Sequence, residues 1–476
     1  MDRLEKILIV IPYEDVAEEL DVKRKVIYPI EPAIVISLLK HHGFVVDGID
    51  LNLRFEDQKQ IFELLNGRVV AFEPGIVLVM SQHLTFLVKD QCGVIGRIIE
   101  SIKDIDDRIR TIVAGTTPSM YPERLLEMVP APDVVFKGEI ENKILDVIHS
   151  MDDKEGLKKT SGVCLRDNGQ VIIADRPNCV NDLDGLPVGD RKVFPLTQYF
   201  EHPETGNLRY PEKSRRFSQI TATRGCNTGC TFCKVKKLRC RYRWRGIDHI
   251  ISEIRMLVED EGIEEIHFLD ENLLLNRPKA KRLFRRIIEE KLRFAWFSGG
   301  GMAVYMLDRE LLELMKDAGC YRLHLAVESG SQRILSEVMR KPVDLRKAME
   351  AIAYAKKLDF EIVGYFMIGL PTETKDEVLQ TVELARNDLF DYVVFSIYTP
   401  EVGTSLHDYC VANGLLDRAS DPSHLSKRVE SNLVFEEYDK AFLTDIRQNA
   451  WREINFGVPE RREKISKMFG CAIDGK

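Results

Sequence analysis

Cys226-Asn-Thr-Gly-Cys230-Thr-Phe-Cys233 is the stretch on which the reading of this chain turns. It follows Phe217–Thr221, a short run with the composition of a strand. Cysteines at i, i+4 and i+7 could lie on one helix face as small core residues. Asn227, Thr228, Gly229 and Thr231 disfavour helix and favour a loop. Gly225 and Gly229 supply the backbone freedom of a loop wrapped around a bound group. Three thiolates on a four-iron cluster leave one iron open for a further ligand. Zinc is the chemical rival, with Cys240 as fourth ligand of a closed tetrahedral site. Three chance core cysteines are the plain alternative.

Outward from the loop, strand and helix patterns alternate. Strand candidates after Phe217–Thr221 are Glu265–Leu269, Phe294–Phe297, Arg322–Val327, Glu361–Ile368 and Tyr392–Tyr398. Amphipathic stretches lie between them at Asp248–Glu259, Lys279–Glu290, Arg309–Asp317, Leu345–Lys357 and Lys375–Ala385. Six β/α units imply a partial barrel over 216–400, since eight close a standard one. Residues 401–476 form a mostly helical tail. Residues 1–150 show five Val/Ile-rich runs, Lys6–Ile11, Phe44–Ile49, Gly75–Met80, Thr111–Ala114 and Asp133–Phe136. Helical patterns at Ala33–His41, Phe86–Ile102 and Glu139–His149 separate them, which makes this part a doubly wound, Rossmann-like α/β domain. Residues 151–215 are a connector, with a hairpin turning at Asp167-Asn168-Gly169.

The chain has 476 residues, 44% apolar and 30% charged, enough for two or three domains of an ordinary globular class. A net charge of −8 gives no general case for nucleic acid or anionic membrane. The longest apolar runs are strand-sized, far short of the roughly 20 residues of a membrane span, and MDRLEKILIVIP lacks a signal-peptide profile. The expected location is the cytoplasm, where ten cysteines are free thiols, metal ligands or catalysts rather than disulfides.

Cys-x3-Cys-x2-Cys after a first barrel strand resembles the signature of the radical SAM superfamily, and further segments resemble it in the same order. They are IHFLDENLLL (266–275), CYRLHLAVESGSQRIL (320–335), FMIGLPTE (366–373) and TPEVGT (399–404). All fall at strand carboxyl ends, the face where β/α barrels place their chemistry. The resemblance implies a [4Fe–4S] cluster on Cys226, Cys230 and Cys233 whose open iron chelates S-adenosylmethionine. Reductive cleavage then gives methionine and a 5′-deoxyadenosyl radical. By the same resemblance Asp270 and Glu271 contact the amino group, Glu328 and Ser329 the ribose, and Ile368 and Gly369 the adenine. One departure stands in GGGMAVY (299–305), which lacks the Arg that many relatives carry after the third strand.

The first domain resembles the cobalamin-binding domain ahead of many such barrels, through YPIEPAIVISLL (28–39), VDGIDLN (46–52), AGTTPSMYPE (114–123) and VVFKGEIE (134–141). Pro29, Gly115, Thr116, Thr117 and Ser119 are the cobalamin-contacting positions this implies. None of the ten His lies in an Asp-x-His-x-x-Gly motif, so no lower axial ligand is offered in the usual way, as in relatives of the anaerobic cyclase and C-methylase type. Lys234, Lys236, Lys237, Arg239, Arg241, Arg243 and Arg245 crowd seven cations beside the cluster loop. If 239–245 is extended, its four guanidiniums share one side. They are then a solvated, carboxylate-paired face, a site for an anionic small-molecule substrate, or a dock for a ferredoxin or flavodoxin donor. No RNA-binding module accompanies them, which argues against nucleic acid.

Together these readings define a radical SAM enzyme, taken as a cobalamin-dependent methyltransferase acting on an unactivated carbon. A non-methylating cyclase, oxidase or rearrangement enzyme is the alternative, followed by a methylthiotransferase and a non-catalytic metal-binding interaction protein. Trp244, Trp296, Tyr305, Tyr398 and Trp451 are candidates for an apolar substrate lining. No side chain is singled out as catalytic.

Overall fold

Short β-branched runs alternating with amphipathic helices form two parallel sheets. The computed structural model describes residues 3–13, 27–53, 58–81, 90–201, 212–239, 241–417 and 431–469. One compact unit comprises Met1–Thr205 with Leu238–Cys240, the other Gly206–Lys237 with Arg241–Lys476.

In the first unit, β1 (Lys6–Ile11), β2 (Val45–Asp50), β3 (Ile76–Ser81), β4 (Arg110–Gly115) and β5 (Val134–Phe136) run parallel in the order β2-β1-β3-β4-β5. The order reverses between β1 and β3, the point where doubly wound sheets open a crevice at their carboxyl ends. β3 is buried at every residue, as a central strand covered on both faces must be. The helix Gln58–Phe72, not anticipated from the pattern, buries Ile61, Leu65 and Val69 at a four-residue spacing. Two connector strands, β6 (Val163–Asp167) and β7 (Gln170–Ile172), extend the sheet antiparallel. Between them Asn168 and Gly169 both take positive φ (47° and 81°), as a tight hairpin requires.

The connector up to Glu201 packs on this unit. Ser37 Oγ donates to Val188 O at 2.8 Å, and Tyr199 OH donates to Asp50 Oδ2 at 2.9 Å. Burial pushes Asp50 up to about 7, with the Tyr199 and Asn52 hydrogen bonds pulling against it. Seven described cysteines are free thiols, but Cys179 is disulfide-bonded, a departure from the expectation for the scattered cysteines. Cys240 and Cys471 lie outside the described residues.

In the second unit, β8 (Phe217–Ile220) is followed by a two-residue ribbon, β9 (Thr223–Arg224) with β10 (Arg243–Trp244). Then come β11 (Glu265–Phe268), β12 (Ala295–Ser298), β13 (Cys320–Glu328), β14 (Glu361–Ile368) and β15 (Tyr392–Ile397). The six long strands run parallel in the order β15-β14-β13-β12-β11-β8, an open barrel. The helices stand where the pattern puts them, and the last four begin on side-chain caps: Asn276, Asp308, Asp344 and Thr374 each accept from a first-turn amide. Such caps contribute about 1 kcal/mol each. Outward-facing Phe268 and Trp296 pack with Phe284 under the helix Arg277–Glu289.

The tail closes one edge. Asn455, fully buried in the helix Lys440–Phe456, accepts from Val393 N and donates to Val393 O, both at 3.0 Å. Arg447 Nε donates to Phe395 O at 3.1 Å. Side chains thereby satisfy Val393 and Phe395 of β15, whose outer edge has no strand partner among the described residues. Among the described residues no helix is long and apolar enough to cross a membrane.

Candidate radical SAM site

The cysteine loop leaves β9 through Gly225 (φ 82°) and turns again at Gly229 (φ 78°). No atom lies closer than 4.0 Å to a β-carbon built at Gly229, so its requirement is conformational rather than spatial. Hydrogen bonds to several elements pin the loop. Gly225 N donates to Glu271 Oε2 at 3.0 Å, Tyr242 N to Asn227 Oδ1 at 3.1 Å, and Thr231 Oγ1 to Val338 O at 2.6 Å. Thr231 N donates to Met339 O, and Thr231 O accepts from Leu406 N, both at 3.0 Å. Cys226 Sγ donates to Thr228 Oγ1 at 3.2 Å, which pairs with Tyr305 OH at 2.6 Å, and Asn272 Nδ2 approaches the same sulfur at 3.8 Å.

The three cysteines are half-buried and free. Burial pushes the Cys230 thiol up to about 12 and Cys233 to about 11; the other cysteines of the triad and Glu328 act in the same direction, while Lys341 opposes it. Thiols so placed stay protonated at neutral pH, whereas a coordinating metal deprotonates them outright. Among the described residues no three His, Cys, Asp or Glu side chains close on one ion.

Around the loop stand the strand carboxyl ends. Asp270 is fully buried and accepts from Ala222 N at 3.1 Å and from Thr223 N and Oγ1, joining the end of β11 to the chain after β8. Burial raises it to about 7, against the Thr223 bond. Glu271 holds Gly225. Glu328 ends β13 at φ 73° and pairs with Lys341 Nζ at 2.7 Å. Ser329 is fully buried, with its Oγ 3.2 Å from Thr381 Oγ1 and accepting from Ser331 N. Ile368 is fully buried, and Gly369 (φ 78°) donates its N–H to Glu373 Oε2 at 2.6 Å. The structure thus brings Glu271 and Glu328 to the cysteine loop and occupies Asp270 and Ser329 with protein partners. Lys341 was not legible beforehand, because nothing local marks a lysine thirteen residues beyond Glu328 as its partner.

Inside the barrel the burial pattern inverts. Ala326, Tyr365, Met367 and Ser396 are half-exposed, while their outward neighbours Leu325, Phe366, Ile368 and Phe395 are buried under helices. The inward face is therefore partly exposed toward the strand carboxyl ends, while lower down His324, Val363 and Val394 are buried, the last two packed with Phe456 and Ile465 of the tail. Of the aromatic candidates, Trp296 is fully buried core with Nε1 donating to Ala318 O, and Tyr305 alone contacts the cysteine loop.

The basic strip meets the condition of an extended 239–245 only in part, since Arg239 is helical and Arg243–Trp244 a strand. It forms a short helix, Val235–Arg239, then β10. Lys234 pairs with Glu401 at 3.4 Å and Arg245 with Glu253 at 2.6 Å, while Arg239, part of the first unit, pairs with Glu31 at 2.8 Å. The carboxylate-paired reading holds for these cations; the side chains of Lys236 and Lys237 lie outside the described set.

In the first unit Gly115 (φ 107°) ends β4, and a β-carbon there would sit 2.1 Å from Ser81 O. Thr117 N donates to Ser81 Oγ at 3.1 Å, Ser119 Oγ to Gly115 O at 2.6 Å, and Gly138 N to Ser119 Oγ at 2.8 Å. Ser81, Gly115, Thr116, Ser119, Gly138 and Glu139 line a small cavity with no histidine in its wall. Pro29 precedes the helix Ile30–His41, whose Glu31 and Pro32 belong to that lining while Pro29 itself does not.

Residues 220–385 match the Radical SAM superfamily. The chain thus carries a radical SAM domain, of the class whose cofactors are a [4Fe–4S] cluster and S-adenosylmethionine. It is similar to an uncharacterized methyltransferase of Pyrococcus horikoshii, 28% identical over 82% of this chain and 79% of that one. It is also similar to the cytidylyl-2-hydroxyethylphosphonate methyltransferase of Streptomyces wedmorensis, 26% identical over the same shares. Its fold is shared with the radical S-adenosylmethionine methyltransferase TsrM of Kitasatospora setae, solved with cobalamin and a [4Fe–4S] cluster bound. That likeness has a TM-score of 0.68 at 18% identity over 86% of this chain and 78% of that one.

Proposed function

We propose that the protein is a cobalamin-dependent radical SAM methyltransferase acting on an unactivated carbon of a small molecule. The observation that carries this reading is the pairing, in one chain, of a pinned three-cysteine loop at a barrel's strand ends with a β2-β1-β3-β4-β5 domain. That domain opens a glycine-bearing crevice at its own strand ends. The methyltransferase names of the relatives support it.

Cys226, Cys230 and Cys233 hold the cluster. Glu328 accepts from the ribose, and Ile368 with Gly369 backs the adenine. Glu271 orients the loop through Gly225 N, and Asp270 acts through Ala222 and Thr223, keeping that strand end in place. Ser329 braces the Glu328 turn through Thr381 and Ser331. Gly115, Thr116, Thr117 and Ser119 shape the first unit's crevice for cobalamin, with Pro29 at its helix entrance. Bound there, cobalamin supplies a transferable methyl group. The partly exposed inward face at the carboxyl ends of β13–β15 takes the substrate, and a ferredoxin or flavodoxin supplies electrons.

The test is anaerobic reconstitution with iron, sulfide and hydroxocobalamin, followed by S-adenosylmethionine and a low-potential reductant. The expected result is an iron–sulfur and corrin spectrum, with S-adenosylhomocysteine and 5′-deoxyadenosine formed together. 5′-Deoxyadenosine without S-adenosylhomocysteine would move the protein to the non-methylating class. Stoichiometric zinc in place of iron would overturn the reading altogether.

A further inference from the structure

The turn after β13 carries a buried ion pair that the cofactor-binding roles above do not use. Glu328 sits at φ 73°, backbone that side-chain-bearing residues rarely adopt. Its Oε1 accepts from Lys341 Nζ at 2.7 Å, and the same ammonium donates to Ala326 O at 2.9 Å. Both side chains are nearly buried, Glu328 12% and Lys341 7% exposed. Among the described residues nothing donates to Glu328 Oε2, although the carboxylate borders the partly exposed inner face of β13.

Lys341 is itself held. Its N–H donates to Leu335 O at 2.8 Å and its carbonyl accepts from Val343 N at 2.8 Å, directly after Arg340 at φ 49°. The residues just before it, Val338 and Met339, are the acceptors that pin Thr231 of the cysteine loop. The cluster loop and the ammonium are therefore fixed to one turn. A buried ammonium–carboxylate pair is a weak stabiliser once desolvation is counted, so stability alone is a poor reason to bury one here. Its geometric effect is specific: one carboxylate oxygen is occupied and the other left as an acceptor.

We propose that Lys341 is a positioning residue. It holds Glu328 so that Oε2 faces the S-adenosylmethionine ribose, and it places a fixed positive charge beside the cluster held by Cys226, Cys230 and Cys233. The proposal rests on the assignment of Glu328 to the ribose. Net charge near an iron–sulfur centre sets its potential. Removing the ammonium leaves Glu328 uncompensated there and makes the cluster harder to reduce.

The test compares the reconstituted full chain with Lys341→Met, which keeps the stem and removes the charge, and Lys341→Arg. Iron content and circular dichroism come first, then the midpoint potential. The EPR signal of the reduced cluster is then titrated with S-adenosylmethionine. In Lys341→Met the titration should need about 10- to 100-fold more cofactor, the usual range for losing a supporting contact. The potential should move to a more negative value, and KM for S-adenosylmethionine should rise by a larger factor than kcat falls. Lys341→Arg should recover most of each effect. A Lys341→Met protein with wild-type titration and potential overturns the proposal, as does Lys341→Arg behaving like Lys341→Met with iron intact. If Lys341→Met does not load iron, Glu328→Gln decides instead, alone and combined with Lys341→Arg. Coupled residues give a combined loss smaller than the product of the single losses, and independent losses overturn the proposal. Failure of the wild-type chain to hold iron would instead sink the underlying reading of the site.

Discussion

Replacing Asn455 with alanine should weaken the barrel at its open edge more than any surface substitution. The Asn455 carboxamide is fully buried and supplies both the acceptor for Val393 N and the donor for Val393 O. Alanine leaves that peptide group without partners on a strand that has no strand neighbour on its outer side among the described residues. Each buried polar group left unsatisfied costs about 1–3 kcal/mol, so the loss is about 2–6 kcal/mol. Against a total stability of about 5–15 kcal/mol this is a large fraction. With a urea slope near 3 kcal/mol/M, the midpoint should fall by about 0.7–2 M. Urea unfolding of the apoprotein followed by tryptophan fluorescence measures it. Trp451 reports locally, since it packs edge-on to Phe456 and Tyr392. Asn455→Asp keeps the acceptor and the shape but loses the donor, and should be weaker at pH 8 than at pH 5, where a protonated acid can still donate to Val393 O. An Asn455→Ala midpoint within about 0.3 M of wild type would show that the tail does not complete the edge of β15.

Two further perturbations follow from the same reasoning. Folded Asp50 keeps its proton up to about pH 7 because it is buried, while the unfolded chain loses it near 3.8. Its contribution is therefore full below about pH 4 and lost as pH rises through 7, up to about 4 kcal/mol at roughly 1.4 kcal/mol per pH unit. Asp50→Asn should flatten the fall in urea midpoint between pH 5 and 8; an unchanged slope would place the dependence elsewhere. Gly369→Ala puts a β-carbon at φ 78° and 2.7 Å from Leu443 Cδ1. The backbone strain, about 1–2 kcal/mol, should lower Tm and raise KM for S-adenosylmethionine. Adding Leu443→Ala, which relieves only the contact, should not restore either, and full recovery would assign the effect to crowding alone.

Local patterns settled most of the architecture. Helices such as Leu345–Lys357 and Lys375–Ala385 lie between the residues their periodicity marks, because an apolar stripe at helical spacing has one stable burial. The Asp167-Asn168-Gly169 hairpin was equally legible, since positive φ selects its residues. Gln58–Phe72 was missed, its apolar stripe being only three residues wide. The basic strip would share one side only if 239–245 were extended; Arg239 instead ends a helix while Arg243–Trp244 is a strand, and Lys234 and Arg239 meet carboxylates remote in sequence, Glu401 and Glu31.

The sequence by itself determined the cysteine triad, the order of the β/α units and the strand ends on which chemistry collects, because spacing and period are local quantities. Tertiary structure alone decided which acidic residues remain available. Asp270 is consumed by backbone amides, while Glu328 keeps one oxygen open under the hold of Lys341. It also decided that an asparagine from the tail completes a strand edge. Such roles depend on which groups meet after folding, and a hydrogen bond between distant residues leaves no periodic mark on the chain.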